Sequence, residues 1–251
     1  MKSKLLLSVL FLLLAQKALP QKLLINEIGF KLTEQERENI QLLSEYESQI
    51  YNGLFDTRRN DSLLITINLY KNFGDYKKAS LAAASDVVSK TGFYSPRLKQ
   101  IFVYRTNDFI RTLVHEMSHS FMHHNIGGIP RWFNEGLAVF FESMAVAYGQ
   151  VSVAVQTARI SAVKREIQGG DVNLTEFLQL DDEAWMNSKS KLDYMYNVSY
   201  SIVYFMAKST PAFTKKLLLK LKEGKSSIDA IESLSDGGFD LFERRYQHFY
   251  R

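Results

Sequence analysis

The chain has 251 residues, with 31 Lys and Arg against 27 Asp and Glu, and no cysteine. That composition excludes thiol catalysis, cysteine-ligated metal, disulfide stapling and a lipid-modified N-terminal cysteine. The net charge of +4 is no nucleic-acid signal, because Lys2, Lys4 and Lys17 sit in the first 20 residues and +1 remains without them. No cluster of Lys and Arg interleaved with aromatics is present to track a phosphate backbone, and the Arg58-Arg59 and Lys77-Lys78 pairs read as solvated turns or faces.

Lys2 and Lys4 precede an apolar run, Leu5 to Ala15, broken only by Ser8. Residues 1–20 therefore read as a signal peptide, cut before Leu19 or Gln21, and the run is too short to span a membrane comfortably. An exported protein, periplasmic or extracellular, is expected, with no stable membrane insertion once the leader is removed. Residues 21–251 are long enough to bury a sizeable core as a single catalytic domain.

A strand is expected over residues 23–30. Thr33 and Glu36 form a capping-box start for an amphipathic helix to about Tyr51, with Ile40, Leu43 and Ile50 facing the core. Arg59-Asn60-Asp61 supplies a turn. In residues 63–70, Ile65, Ile67 and Leu69 alternate against Thr66 and Asn68, the period of a half-buried strand. Residues 75–89, rich in Ala and Ser, fit a helix or a packed loop equally. Gly92-Phe93-Tyr94-Ser95-Pro96 reads as a strand entering a turn, and residues 100–104 as the strand that returns.

From Asn107 or Asp108 as N-cap, a helix is expected through His115 and His119 to about His124, ended by Gly127, Gly128 and Pro130. A second begins near Arg131 or Trp132 and carries Glu135 to about Ala147. Further helices are expected over 158–167, 174–180, 194–208, 212–221, near Ile228, and over 241–249. Strands first and helices afterwards give an α+β fold: a small N-terminal mixed sheet, the motif helix, and a mainly helical lobe over 150–251.

His115-Glu116-Met117-Ser118-His119 is the central feature. Two histidines four apart lie on one helical face about one turn apart, so both imidazoles reach one tetrahedral zinc at roughly 2.0–2.1 Å. Glu116 is turned around the same helix, off the metal but near its water, where it acts as general base. A third ligand is required, and Glu135, sixteen residues after His119, supplies it from the next helix. Two rivals stand beside it. Glu142 lies two turns further along nearly the same face. His123 or His124 ligates only if the chain follows HExxHxxGxxH, and Met122 and Asn125 stand where that pattern needs Gly and His.

His115 to His119 followed by Pro130-Arg131-Trp132-Phe133-Asn134-Glu135-Gly136-Leu137-Ala138 resembles the gluzincin zinc metallopeptidases. The nearest match is to the secreted bacterial domains described as peptidase-MA-like, related to the aminopeptidase N and thermolysin groups. The resemblance covers roughly 62–206 and is dense over 92–142. It implies a zincin-like fold, Zn2+ on His115, His119 and Glu135, and a peptide or protein substrate. It also implies a tyrosine that donates to the oxyanion, by position Tyr196 of Tyr196-Asn197-Val198-Ser199, with Tyr200 as the rival. The bland reading of Tyr194, Tyr196, Tyr200 and Tyr204 is a packing stripe. Gly92 to Pro96 resembles the glycine-aromatic turn before the metal helix, and a purely structural hairpin explains it as well. Asn134 holds a hydrogen bond beside the ligand or caps its helix. A gluzincin-fold binding module without turnover is the alternative function.

Overall fold

The computed structural model describes residues 22–84, 89–187 and 191–251, so the expected leader lies outside the described residues. No described helix is long and apolar enough to cross a membrane. The chain divides into two compact units, one running to Gly127 and resuming over Phe141–Ala154, the other comprising Gly128–Phe140 and Val155–Arg251.

The first unit is built on a four-stranded mixed sheet. Strands β1 (Lys22–Ile28), β2 (Leu64–Tyr70), β3 (Gly92–Ser95) and β4 (Gln100–Tyr104) lie in the order β1-β2-β4-β3. β2 is parallel to β1 and β4, and β3 is antiparallel to β4. The alternation read in β2 has a direct cause. Ile67 and Leu69 are in register with Ile101 and Val103 of β4, and all four are sealed from solvent. Each such side chain contributes about 1.5–3 kcal/mol relative to exposure.

On the opposite face of the sheet, Tyr70 and Phe102 pack with Tyr76 and Ala83 of helix α2 (Phe73–Ala83). This settles much of the stretch left unassigned between residues 75 and 89. Asn72 caps α2 by accepting from the Gly74 and Asp75 backbone, and Tyr76, Ala79 and Ala83 recur at helical spacing against the sheet. Residues 85–88 lie outside the described residues.

Helix α1 (Glu34–Phe55) carries the capping box: Thr33 Oγ1 accepts from Glu36 N, and Thr33 N donates to Glu36 Oε2 at 2.8 Å. It runs one turn beyond Tyr51 and ends on Asp56 in the left-handed region. Its buried face holds Ile40, Leu43 and Ile50, as expected, and also Tyr51, Ser44 and Glu47. Neither carboxylate oxygen of Glu47 has a hydrogen-bond partner among the described residues. Burial pushes the Glu47 pKa well above the ordinary range, with the charge of His115 pulling the other way. Because the folded chain then holds this proton more tightly than the unfolded chain, its contribution to stability is greatest below the unfolded pKa, near 4.3, and declines as pH rises toward the raised folded value. Glu47→Leu is therefore expected to stabilise the metal-free protein by about 1–3 kcal/mol at pH 7. The gain should narrow as urea melts are repeated toward pH 4, and a gain independent of pH would contradict the assignment.

The helix expected from Arg131 to Ala147 is corrected. Helix α4 stops at Phe141 (Arg131–Phe141), and β5 (Met144–Ala147) and β6 (Gln150–Val153) form an antiparallel hairpin. Tyr148 and Gly149 both have positive φ, 52° and 71°, the pair of conformations a two-residue hairpin turn needs. The alternation of Val146, Val151 and Val153 around that glycine is a strand signal, which the helical period upstream masks in the sequence.

The second unit is helical: α5 (Thr157–Gly169), α6 (Leu174–Leu178), α7 (Asp182–Asn187), α8 (Leu192–Ser209), α9 (Pro211–Lys222), α10 (Ser227–Leu234) and α11 (Gly238–Tyr250). All were expected except α7, and α6 is shorter than expected. α8 is the centre of this unit. Ser201 Oγ meets the Tyr246 hydroxyl at 2.7 Å, and Tyr250 donates to the Ser201 carbonyl. Trp132 of α4 donates to Ser227 Oγ of α10 at 2.9 Å. Gly136 of α4 is where α8 passes: a Cβ there would stand 2.6 Å from the Ser199 carbonyl oxygen and 2.8 Å from Val203. Gly136→Ala is expected to cost about 1–3 kcal/mol in thermal or urea denaturation, since backbone cannot yield as a side-chain tip can.

Candidate metal centre

Helix α3 (Phe109–Asn125) presents Phe109, Leu113, Val114, Met117 and Phe121 to the interior. Asp108 takes the N-cap position without a side-chain cap bond. The helix lies close on the β3–β4 edge of the sheet: a Cβ on Gly92 would meet Thr112 Cγ2 at 2.6 Å. The Phe102 carbonyl oxygen and Val103 Cγ2 would each stand 3.2 Å from the same Cβ, so the close approach of α3 and β4 favours glycine here, a structural reason for the glycine in the glycine-aromatic segment.

One turn apart on α3, the His115 and His119 Nε2 atoms are 3.1 Å apart, their rings nearly perpendicular at 83°. Two ligands of a tetrahedral zinc at about 2.0–2.1 Å stand roughly 3.3 Å from each other, so this spacing is close to the edge of such a tetrahedron. Glu135 is on α4, buried, with Arg131 Nε 3.7 Å from its Oε1. One ligand atom from each of His115, His119 and Glu135 lies within 4.8 Å of the others, close enough to hold a metal ion. Glu116 follows His115 on α3 and is also buried.

Glu142 takes a different place from the one considered for it. Its Oε1 meets His115 Nδ1 at 2.8 Å, and its Oε2 accepts from Arg111 Nε at 3.0 Å and Nη2 at 2.5 Å. Burial raises the Glu142 pKa, and the hydrogen bonds and charges of His115 and Arg111 outweigh it, holding the carboxyl below its ordinary range. A carboxylate on Nδ1 fixes the tautomer that leaves the Nε2 lone pair free for a metal. Glu142 was a rival third ligand in sequence because a helix continuing to Ala147 would keep it in phase with Glu135. α4 ends first, and the chain turns Glu142 onto His115 instead. Glu142→Gln is expected to weaken metal binding about 10- to 100-fold, read by competition with a chelating dye. Unchanged affinity would reduce Glu142 to a surface partner of Arg111.

The remaining residues sort by contact. His123 Nδ1 meets the Tyr94 hydroxyl at 3.0 Å, and neither His123 nor His124 belongs to the metal-capable cluster found among the described residues. Asn134 lies inside α4, past its first residues, so it does not cap the helix. Tyr200 is a core residue: its hydroxyl accepts the Gln156 N–H at 3.0 Å, its ring stacks on Tyr204, and burial pushes its pKa up to about 12. Tyr196 is half-buried on α8, edge-on to Trp185 at 6.2 Å. Sequence reasoning missed Arg111, four residues before His115 and on the same helical face, and Arg131, four before Glu135.

No curated protein matches the chain. Residues 109–225, from the first residue of α3 to just past α9, are similar to a family described as a protein of unknown function (DUF1570).

Proposed function

We propose that the chain is an exported, zinc-dependent hydrolase of peptide bonds. The observation that carries this reading is the convergence of two imidazole Nε2 atoms and a carboxylate oxygen beside a buried glutamate that follows the first histidine. Two nitrogens and one oxygen form the donor set of a catalytic zinc with one open position. When bound, such an ion supplies an acidified water and a Lewis-acid pull on the scissile carbonyl.

The protein's own groups do the rest. Glu116 takes the proton of the attacking water and passes it to the leaving amine. Tyr196 donates a hydrogen bond to the oxygen on which negative charge develops. Glu142 holds His115 in the ligating tautomer. The reading is tested by incubating the full chain, with one equivalent of zinc, with varied peptide libraries and following fragments by mass spectrometry. Cleavage that a chelator stops and zinc restores is expected. Uncut libraries would end the peptidase reading and leave a metal-holding binding module.

A further inference from the structure

We propose that Arg131 is an anion-recognition point beside the third metal ligand, and that the substrate carries a carboxylate next to the bond cut. The carboxylate is either the peptide's own C-terminus or an acidic side chain. The assignment of the carboxylate to a substrate rests on the peptidase reading, while the anion site itself stands on contacts.

Arg131 opens α4, one turn before Glu135 and on the same face. Its two nearby carboxylates are Glu135, 3.7 Å from Nε, and Asp182, 4.0 Å from Nη1, both beyond hydrogen-bond reach. No donor of the guanidinium is engaged in a hydrogen bond among the described residues, although the side chain is only 31 % exposed. Asp182 is 85 % exposed, and a pair that long and that open holds little. Glu135 is the residue assigned to the metal, so the fork is left facing no carboxylate of its own at bonding distance.

The aromatic neighbour of the fork is Trp185. The guanidinium lies 5.7 Å from the centroid of that ring, and Tyr196 stands edge-on to the same ring. One buried indole thus positions both Arg131 and the tyrosine proposed to act on the substrate. Trp185 Nε1 is itself a buried N–H with no partner among the described residues, a second donor without an acceptor in this cluster. A rigid, planar, partly desolvated guanidinium is the side chain that selects carboxylates by two parallel hydrogen bonds. At 3.7 Å Arg131 pairs with Glu135 through charge alone, so orienting Glu135 would still leave the donors of the guanidinium without an acceptor.

The test uses the full chain carrying Glu116→Gln, loaded with zinc, so that peptides are held uncut. Three fluorescent tetrapeptides are titrated: neutral with a free C-terminal carboxylate, neutral with a C-terminal amide, and amidated with one glutamate. At least one charged peptide should bind on the order of 10- to 100-fold more tightly than the neutral amide. Which one does so identifies the source of the carboxylate. Adding Arg131→Met should erase the difference with zinc content unchanged, and Arg131→Lys should restore only part of it. Equal affinities, no binding by any of the three, or discrimination surviving Arg131→Met would overturn the proposal. So would an Arg131→Met that lost zinc while keeping the discrimination. Should the wild-type, zinc-loaded chain leave the tightly bound peptide intact, the hydrolase reading fails while the anion site stands.

Discussion

Replacing His119 with Ala is expected to lower zinc affinity roughly 100-fold or more while leaving the fold in place. The magnitude follows from sharing the roughly 10–16 kcal/mol of a four-ligand zinc site over its ligands, about 3 kcal/mol each. The fold should survive because α3 is held through Phe109, Leu113, Val114, Met117 and Phe121, while His119 is only partly buried. Glu135→Ala should behave in the same way, and both should exceed the effect of Glu142→Gln, which leaves all three donors present. The check is zinc content by mass spectrometry after dialysis against buffered zinc, with circular dichroism confirming helix content. Metal retained at wild-type affinity by the His119 variant would place the ion elsewhere.

Glu116→Gln is the other large effect. The change preserves side-chain volume at a buried position while removing the negative charge and the ability to accept a proton. Zinc content and melting temperature should therefore stay close to wild type, while peptide turnover falls by about 10²- to 10⁴-fold, the range of general acid–base catalysis. Steady-state kinetics on a peptide cut by the wild type measures it. A variant as active as wild type would remove Glu116 from the chemistry, and one that lost zinc would make it a structural residue.

The convergence of His115 and His119 was legible because a four-residue spacing on a helix is a geometric statement: it puts both imidazoles on one face whatever the surroundings. Glu135 was legible for a similar reason, with a loop of Gly127, Gly128 and Pro130 letting a second helix begin. The place of Glu142, a rival to Glu135 in sequence, was not legible because it depended on where α4 stops, and helix ends are set by what the next residues can pair with. Here Val146 and Val151 pair across a Tyr148-Gly149 turn. α2 stayed open between a helix and a packed loop because its cap, Asn72, stands ahead of residues 75–89, and because an Ala- and Ser-rich pattern acquires an apolar face only once Tyr70 and Phe102 are opposite it. Gly136 carries no local signal at all, since its requirement comes from Ser199, 63 positions away in sequence.

The same distinction applies to charges. Arg111 and Arg131 each stand four residues before a member of the metal-capable cluster, a spacing present in the sequence, but only the contacts separate their roles. Arg111 is committed to Glu142 by two hydrogen bonds, while the Arg131 guanidinium lies 5.7 Å from the Trp185 ring centroid and makes none among the described residues.

The most direct measurement is anomalous diffraction at the zinc edge on crystals of the zinc-loaded chain. A single strong peak about 2.0–2.1 Å from His115 Nε2, His119 Nε2 and a Glu135 oxygen is expected, with Glu142 still on His115 Nδ1. A peak away from these residues, or one completed by Glu142 in place of Glu135, would contradict the assignment on which the catalytic reading stands.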